Sequence, residues 1–185
     1  MKEALLVIDV QNEYFTGKLP VTYPTGSFNN IKKAIASAAK ANIPIVLIQH
    51  TAPQSDSATF RKGSYEWNLH EDILTGSYNV IIEKNLPDSF ANTTLNDWLE
   101  QNGVDTVVIC GYMTQMCCDT TARQAVHIGY SVKFLSDATG TLAFSNEGGS
   151  VTDEELHRAT LVTQAIRFSK IMTTKVWVSS LGIDA

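Results

Sequence analysis

The chain is short of cysteine, of charge and of long apolar runs, and each shortage removes a class of protein. Three cysteines in 185 residues, two of them adjacent, make a poor disulfide framework, and an odd count points to reduced thiols. No Cys-x-x-Cys pair or His/Cys cluster has zinc-like spacing, so neither a metal nor another cofactor is expected. Charged residues make up 18% of the chain, and a net charge of −5 without a basic run argues against a nucleic-acid partner. No apolar run approaches the roughly 18–20 residues of a membrane span, so no membrane partner is expected. The segment Met1–Val10 lacks the longer apolar stretch and small-residue cleavage site of a signal peptide, which makes a cytoplasmic location the expectation. Repeats and low-complexity segments are absent too. What is present, a hydrophobic fraction of 44% over 185 residues, suits one sizeable core, with 1–185 as a single domain.

Residues 4–10 are nearly all apolar, as expected of a strand buried on both faces. Ile31, Ala34, Ile35 and Ala38 recur at helical spacing within 27–41, and Ile43–Ile48 reads as a second buried strand. Residues 51–70 are irregular and polar-aromatic, too long for an idle connection, and read as a site loop. A third strand covers about 79–83, and Asp88 or Ser89 can cap a helix over 90–102. Thr106–Gly111 is a fourth strand, 115–128 a helix closed by Gly129, and Ser131–Ser136 a fifth strand. A helix over 153–167 and a strand at Ile171–Thr174 follow. Buried strands alternating with helices predict an α/β fold: a three-layer α/β/α sandwich with a six-stranded, mostly parallel sheet of order 3-2-1-4-5-6 and helices on both faces. Ligands of such sheets bind outside the carboxyl ends of the strands, at the topological switch point.

Three reactive residues fall at that edge. Asp9 closes the first strand, Lys84 follows the third, and Cys117 lies in the first turn of the helix after the fourth. A helix N-terminus carries partial positive charge and free N–H groups, which lower a thiol's pKa and could hold an oxyanion. An acid inside Leu-Val-Ile-Asp-Val is costly to bury unpaired, and a lysine with a thiol would compensate it. Taken singly, Asp9 reads as a turn or cap residue, Lys84 as a solvated charge beside Glu83, and a buried cysteine as a small hydrophobe. The last reading is adopted for Cys110 and Cys118.

Three segments carry a resemblance: Leu5–Phe15, with Asp9 and Gln11; Ile82–Leu95, with Lys84, Ser89 and Phe90; and Gly111–Cys117, with Thr114. In this order they resemble the signatures of the isochorismatase-like, or cysteine hydrolase, superfamily, which includes nicotinamidases and carbamoyl-amide hydrolases. The resemblance spans nearly the whole chain. It selects Cys117 over Cys118 as nucleophile, with Asp9 as base and Lys84 as electrostatic support. It also implies a cis peptide between Tyr112 and Met113, and an oxyanion hole from the N–H groups of Met113 and Cys117.

The chain departs from the nicotinamidases of this superfamily, which bind a metal through an Asp-x-His pair after the second strand. The corresponding stretch here is Gln49-His50-Thr51, so the metal-free branch is the better match. The expected function is metal-independent cleavage of a C–N bond in a small amide, carbamoyl or ureido substrate through a Cys117 thioester. The alternatives are vinyl ether hydrolysis of the isochorismatase type and a non-catalytic binding or assembly module. Candidate substrate contacts are Gln11, Tyr14, Phe15, His50, Trp67 and Tyr112; Phe60 and Trp67 could form a lid, and His157 caps or packs the last helix. The resemblance further implies a homodimer or homotetramer, and the apolar Val176-Trp177-Val178 could help cover an interface.

Overall fold

The computed structural model describes residues 2–183. The chain enters at the middle of the sheet. Strand β1 (Glu3–Ile8) is followed by helix α1 (Ser27–Lys40) and by β2 (Ile45–His50), which pairs parallel to β1. A short helix α2 (Glu71–Leu74) precedes β3 (Val80–Lys84), the outer strand on that side. Helix α3 (Leu95–Gln101) then returns the chain to β4 (Thr106–Tyr112), which pairs with the other side of β1. Helix α4 (Asp119–His127), β5 (Ser131–Gly140), an antiparallel hairpin of β6 (Phe144–Asn146) and β7 (Gly149–Val151), α5 (Asp153–Arg167), β8 (Lys170–Met172) and α6 (Thr174–Ser180) complete the order. The six-stranded sheet runs β3-β2-β1-β4-β5-β8 and every pairing in it is parallel.

This is the α/β architecture and strand order predicted from the alternation. The last strand is eighth along the chain only because the hairpin, unread in the sequence, intervenes. Alternate residues of the central strands enter two separate cores. Leu5, Val7, Val108 and Cys110 face Ile31, Ala34 and Ala38 of α1. Ala4, Leu6, Ile8, Val107 and Ile109 face Leu95 and Leu99 of α3 and Ala122 and Ala125 of α4. Being apolar on both faces is what makes a strand read as one unbroken hydrophobic run.

Some boundaries differ from the sequence reading. The helix expected over 90–102 begins only at Leu95, with Thr94 as its N-cap. Ser89 is fully buried and shares its hydroxyl and N–H with Thr121 of α4, so it ties two elements together instead of capping one. Asp88 does cap locally, accepting the Phe90 N–H. The stretch 115–128 is not one α-helix: Thr114–Cys118 forms a wider π-helical turn, and α4 starts after it. Trp177 is fully buried and donates its indole N–H to Glu3, so it belongs to this chain's own core and not to an interface; Val176 beside it is exposed. Helix α5 opens with a reciprocal capping box between Thr152 and Glu155.

Register decides what meets at the carboxyl edge. Ile8 lies level with Ile48 and Gly111, and His50 lies level with Lys84. Gly111 has φ +116°, and a Cβ there would sit 2.0 Å from the Ile8 carbonyl oxygen. Glycine is therefore required for β4 to approach β1 next to Asp9. Gly129 also has positive φ (+103°) but open space around it. Urea denaturation should separate the two: Gly129→Ala should cost about 1 kcal/mol, whereas Gly111→Ala should cost more than about 4 kcal/mol or prevent folding.

Candidate active site

Asp9 follows β1 directly, in the left-handed region at φ 51°, and its side chain is fully buried. Lys84 ends β3 and is 1% exposed; Cys117 lies in the turn after β4 and is 7% exposed. The lysine ammonium reaches across the intervening β2 to join them. Its Nζ is 2.8 Å from Asp9 Oδ2 and donates to Cys117 Sγ at 3.3 Å, to the Leu86 carbonyl at 3.1 Å and to His50 Nδ1 at 3.4 Å. Asp9 Oδ2 and the ammonium form a buried ion pair at hydrogen-bonding distance, and the remaining carboxylate lone pairs are left for the thiol beside them. A carboxylate left in this state is an acceptor in wait.

From its position after β4, Cys117 is expected at a helix N-terminus that favours its thiolate. The structure corrects this. Burial pushes the Cys117 thiol well above the usual range, and the neighbouring Asp9 charge adds to the rise; Lys84 opposes it without cancelling it. Burial also disfavours the Lys84 ammonium, but Asp9 and Cys117 together outweigh it and hold the lysine above its ordinary value. The arrangement is a buried Asp9–Lys84 ion pair with the Cys117 sulfur against the ammonium.

The Tyr112–Met113 peptide is cis. The Met113 carbonyl accepts the N–H groups of Met116 and Cys118, which closes the turn around Cys117, while the Met113 N–H meets no acceptor among the described residues. A second buried tie fixes the same turn. Thr114 donates to His157 Nδ1 at 2.8 Å, and His157 Nε2–H donates to the Ser136 carbonyl at 2.9 Å. Burial holds the His157 ring below the usual imidazole range. Nothing in the spacing of α5 signals this role for His157, which the sequence placed merely within its helix. The Leu86 carbonyl, two residues beyond Lys84, was equally unread.

The expected substrate contacts separate into two groups. Gln11 is fully buried and its amide is engaged: it donates to the His50 carbonyl (2.9 Å) and the Trp67 carbonyl (2.6 Å), and accepts the His50 N–H (2.8 Å). With Asn12 N–H bonded to Asn68 and Glu13 N–H to Glu66, it fastens the end of the 51–70 loop. The Trp67 indole donates to Thr51, and the Lys62 ammonium sits over the ring. Gln11 and Trp67 thus build the loop wall. Tyr14 packs on Phe60 and Tyr112, Phe15 packs on Phe28, His70 and Tyr112, and His50 packs edge-on to Phe60. Tyr14, Phe15, Phe28 and Tyr112 line a cavity of about 350 Å³ on the α1 side; Cys117 is not among its lining residues. The Tyr112 hydroxyl is paired with that of Ser27.

These residues do not fit a metal of the nicotinamidase kind. His50 turns Nδ1 towards an ammonium, and Gln49 donates its amide to the Trp67 carbonyl. Among the described residues no group of three or more His, Cys, Asp or Glu side chains is placed to hold an ion, and no helix is long and apolar enough to cross a membrane.

The Isochorismatase domain family matches residues 3–176. The chain belongs to the isochorismatase family. A solved isochorismatase-type protein from Burkholderia xenovorans LB400 shares 39% identity, covering 98% of this chain and 88% of that one with a TM-score of 0.95. A cysteine hydrolase from Pseudomonas syringae pv. phaseolicola 1448A shares 28% identity with a TM-score of 0.89, over 98% and 92% of the two chains. Nicotinamidase 3 of Arabidopsis thaliana is 32% identical over 91% of this chain and 83% of its own. The protein is therefore a cysteine hydrolase of this family.

Two measurements check the electrostatics. Lys84→Met leaves Asp9 charged and unpaired in the interior and should cost about 3–5 kcal/mol; the Asp9→Asn/Lys84→Met double variant should cost less than Lys84→Met alone in urea denaturation. His157 folds neutral, so below about pH 6.5 the unfolded chain binds the extra proton and stability falls with acidification, levelling off once the folded ring titrates. His157→Asn should show a shallower loss of stability between about pH 7 and pH 5 than the native chain.

Proposed function

We propose that the protein hydrolyses a C–N bond of a small carboxamide, carbamoyl or ureido compound through a Cys117 thioester, without a metal. The observation that carries this reading is the convergence of Asp9 and Cys117 on the buried Lys84 ammonium, with carboxylate lone pairs left to accept a proton. Lys84 donates to the sulfur lone pair, which leaves the S–H proton free to go to Asp9. Asp9 takes that proton as the sulfur attacks the carbonyl carbon, so charge passes from carboxylate to thiolate beside a fixed cation.

The C=O π electrons move onto oxygen, and the N–H groups of Met113 and Cys117 receive the oxyanion. Such a donor typically contributes about 10²–10³ in rate. Collapse re-forms the carbonyl and breaks the C–N bond, and the proton on Asp9 goes to the departing nitrogen. Water then gives a proton to Asp9 and attacks the thioester; the sulfur leaves and recovers its proton from the same carboxyl. Because the acid and the thiol share one proton beside one lysine, the pH profile belongs to the cluster. A thiol held neutral at rest fits this sequence, since the thiolate forms only as the substrate closes on it.

Screening small amides and ureido acids for ammonia release tests the reaction class. Cys117→Ala should abolish turnover and leave the urea midpoint near that of the native chain; retained turnover removes the nucleophile assignment. Asp9→Asn should abolish turnover of any amide found in the screen, even though loss of its charge favours the Cys117 thiolate, and retained turnover would show that another group takes the proton.

A further inference from the structure

We infer that His50 is a specificity residue, locked by Lys84 in the tautomer that presents Nε2–H to a neutral carboxamide or ureido oxygen beside the bond being cut. The inference rests on Cys117 being the nucleophile. An ammonium has three N–H groups and no lone pair. Lys84 Nζ already faces Asp9 Oδ2 (2.8 Å), the Leu86 carbonyl and Cys117 Sγ, and it also lies 3.4 Å from His50 Nδ1, where an imidazole N–H would point hydrogen at hydrogen. Nδ1 of His50 therefore carries the lone pair, and the ring proton resides on Nε2, on the far side of the imidazole. His50 and Cys117 are thereby held by the same nitrogen, and the orientation of one is coupled to that of the other.

The rest of the ring's surroundings fix it in place. Gln11 brackets the His50 peptide on both its N–H and its carbonyl. Phe60, itself at φ 50°, packs against the ring with centroids 5.1 Å apart and planes at 83°. His50 is partly exposed, and among the described residues Nε2 meets no hydrogen-bond acceptor. The charged groups facing the ring are Lys84 and Asp9. Burial and Lys84 hold the imidazole below its usual range, outweighing Asp9. A neutral donor beside an ion pair favours an uncharged oxygen over a carboxylate, because the Lys84 charge is already balanced by Asp9.

Two measurements on the native chain and its variants decide the point. Long-range ¹H–¹⁵N spectra, with the His50 signals identified by their loss in His50→Asn, should show Nε2 protonated at neutral pH; a protonated Nδ1 overturns the inference. The second is the rate of Cys117 alkylation by 2-chloroacetamide, which carries a carbonyl oxygen next to its electrophilic carbon, against allyl chloride, which carries none. His50→Asn keeps an acceptor for Lys84 but loses the far donor, and should lower the preference for chloroacetamide about tenfold. His50→Gln restores an N–H near the Nε2 position and should stay within about threefold of the native preference. An unchanged preference in His50→Asn overturns the inference. Labelling as strong in Cys117→Ala as in the native chain overturns the nucleophile assignment instead, and the tautomer spectrum then still decides the ring's part.

Discussion

A buried charge pair governs this site. Asp9 and Lys84 are almost wholly removed from water, and neither would be stable there alone. Each depends on the fold to deliver the other: Asp9 from the central strand, Lys84 from the outer strand two places away, over an intervening β2 whose own end supplies His50. The pair supplies little net stability, since desolvation offsets much of its attraction. It fixes a carboxylate with free acceptor capacity beside a sulfur, and the remaining geometry follows from that requirement.

Cys117 is restrained rather than pre-activated. Burial and the Asp9 charge both oppose ionisation of Cys117. A permanently charged thiolate would be open to oxidation and alkylation, and burial of the sulfur works against that state. The turn that holds it is tied on two sides, by Cys118 and Met116 to the Met113 carbonyl and by Thr114 through His157 to Ser136. The close approach of β4 to β1 at Gly111 and Ile8 sets the distance between the two halves of the site.

The 51–70 loop has a different role from that of a free flap. Its far end is fastened by Gln11, Asn12 and Glu13, which use main-chain and amide hydrogen bonds to hold residues 66–68. Aromatic rings from the loop and from 14–15 pack around His50 and Tyr112, giving a hydrophobic surround in which the polar groups of the site are few and directed.

Much of this was legible in the chain itself. Hydrophobic runs at Ala4–Val10 and Thr106–Gly111 announce two-sided burial, and two-sided burial with intervening helices dictates a parallel sheet whose ligand edge carries Asp9, Lys84 and Cys117. Local pattern fails where distant contacts override it. Ser89 is drawn into α4, the segment after Gly111 widens into a π turn, and Trp177 turns inward to Glu3; none of these has a signal within its own neighbourhood. Protonation state is the clearest case. The sequence can place a cysteine near a helix N-terminus, but depth of burial and the partner charges decide whether the sulfur is ionised. Likewise, only the packed structure turns His50 Nδ1 onto Lys84 and His157 onto Thr114, because a ring's tautomer depends on which donors and acceptors three-dimensional packing brings to its two nitrogens.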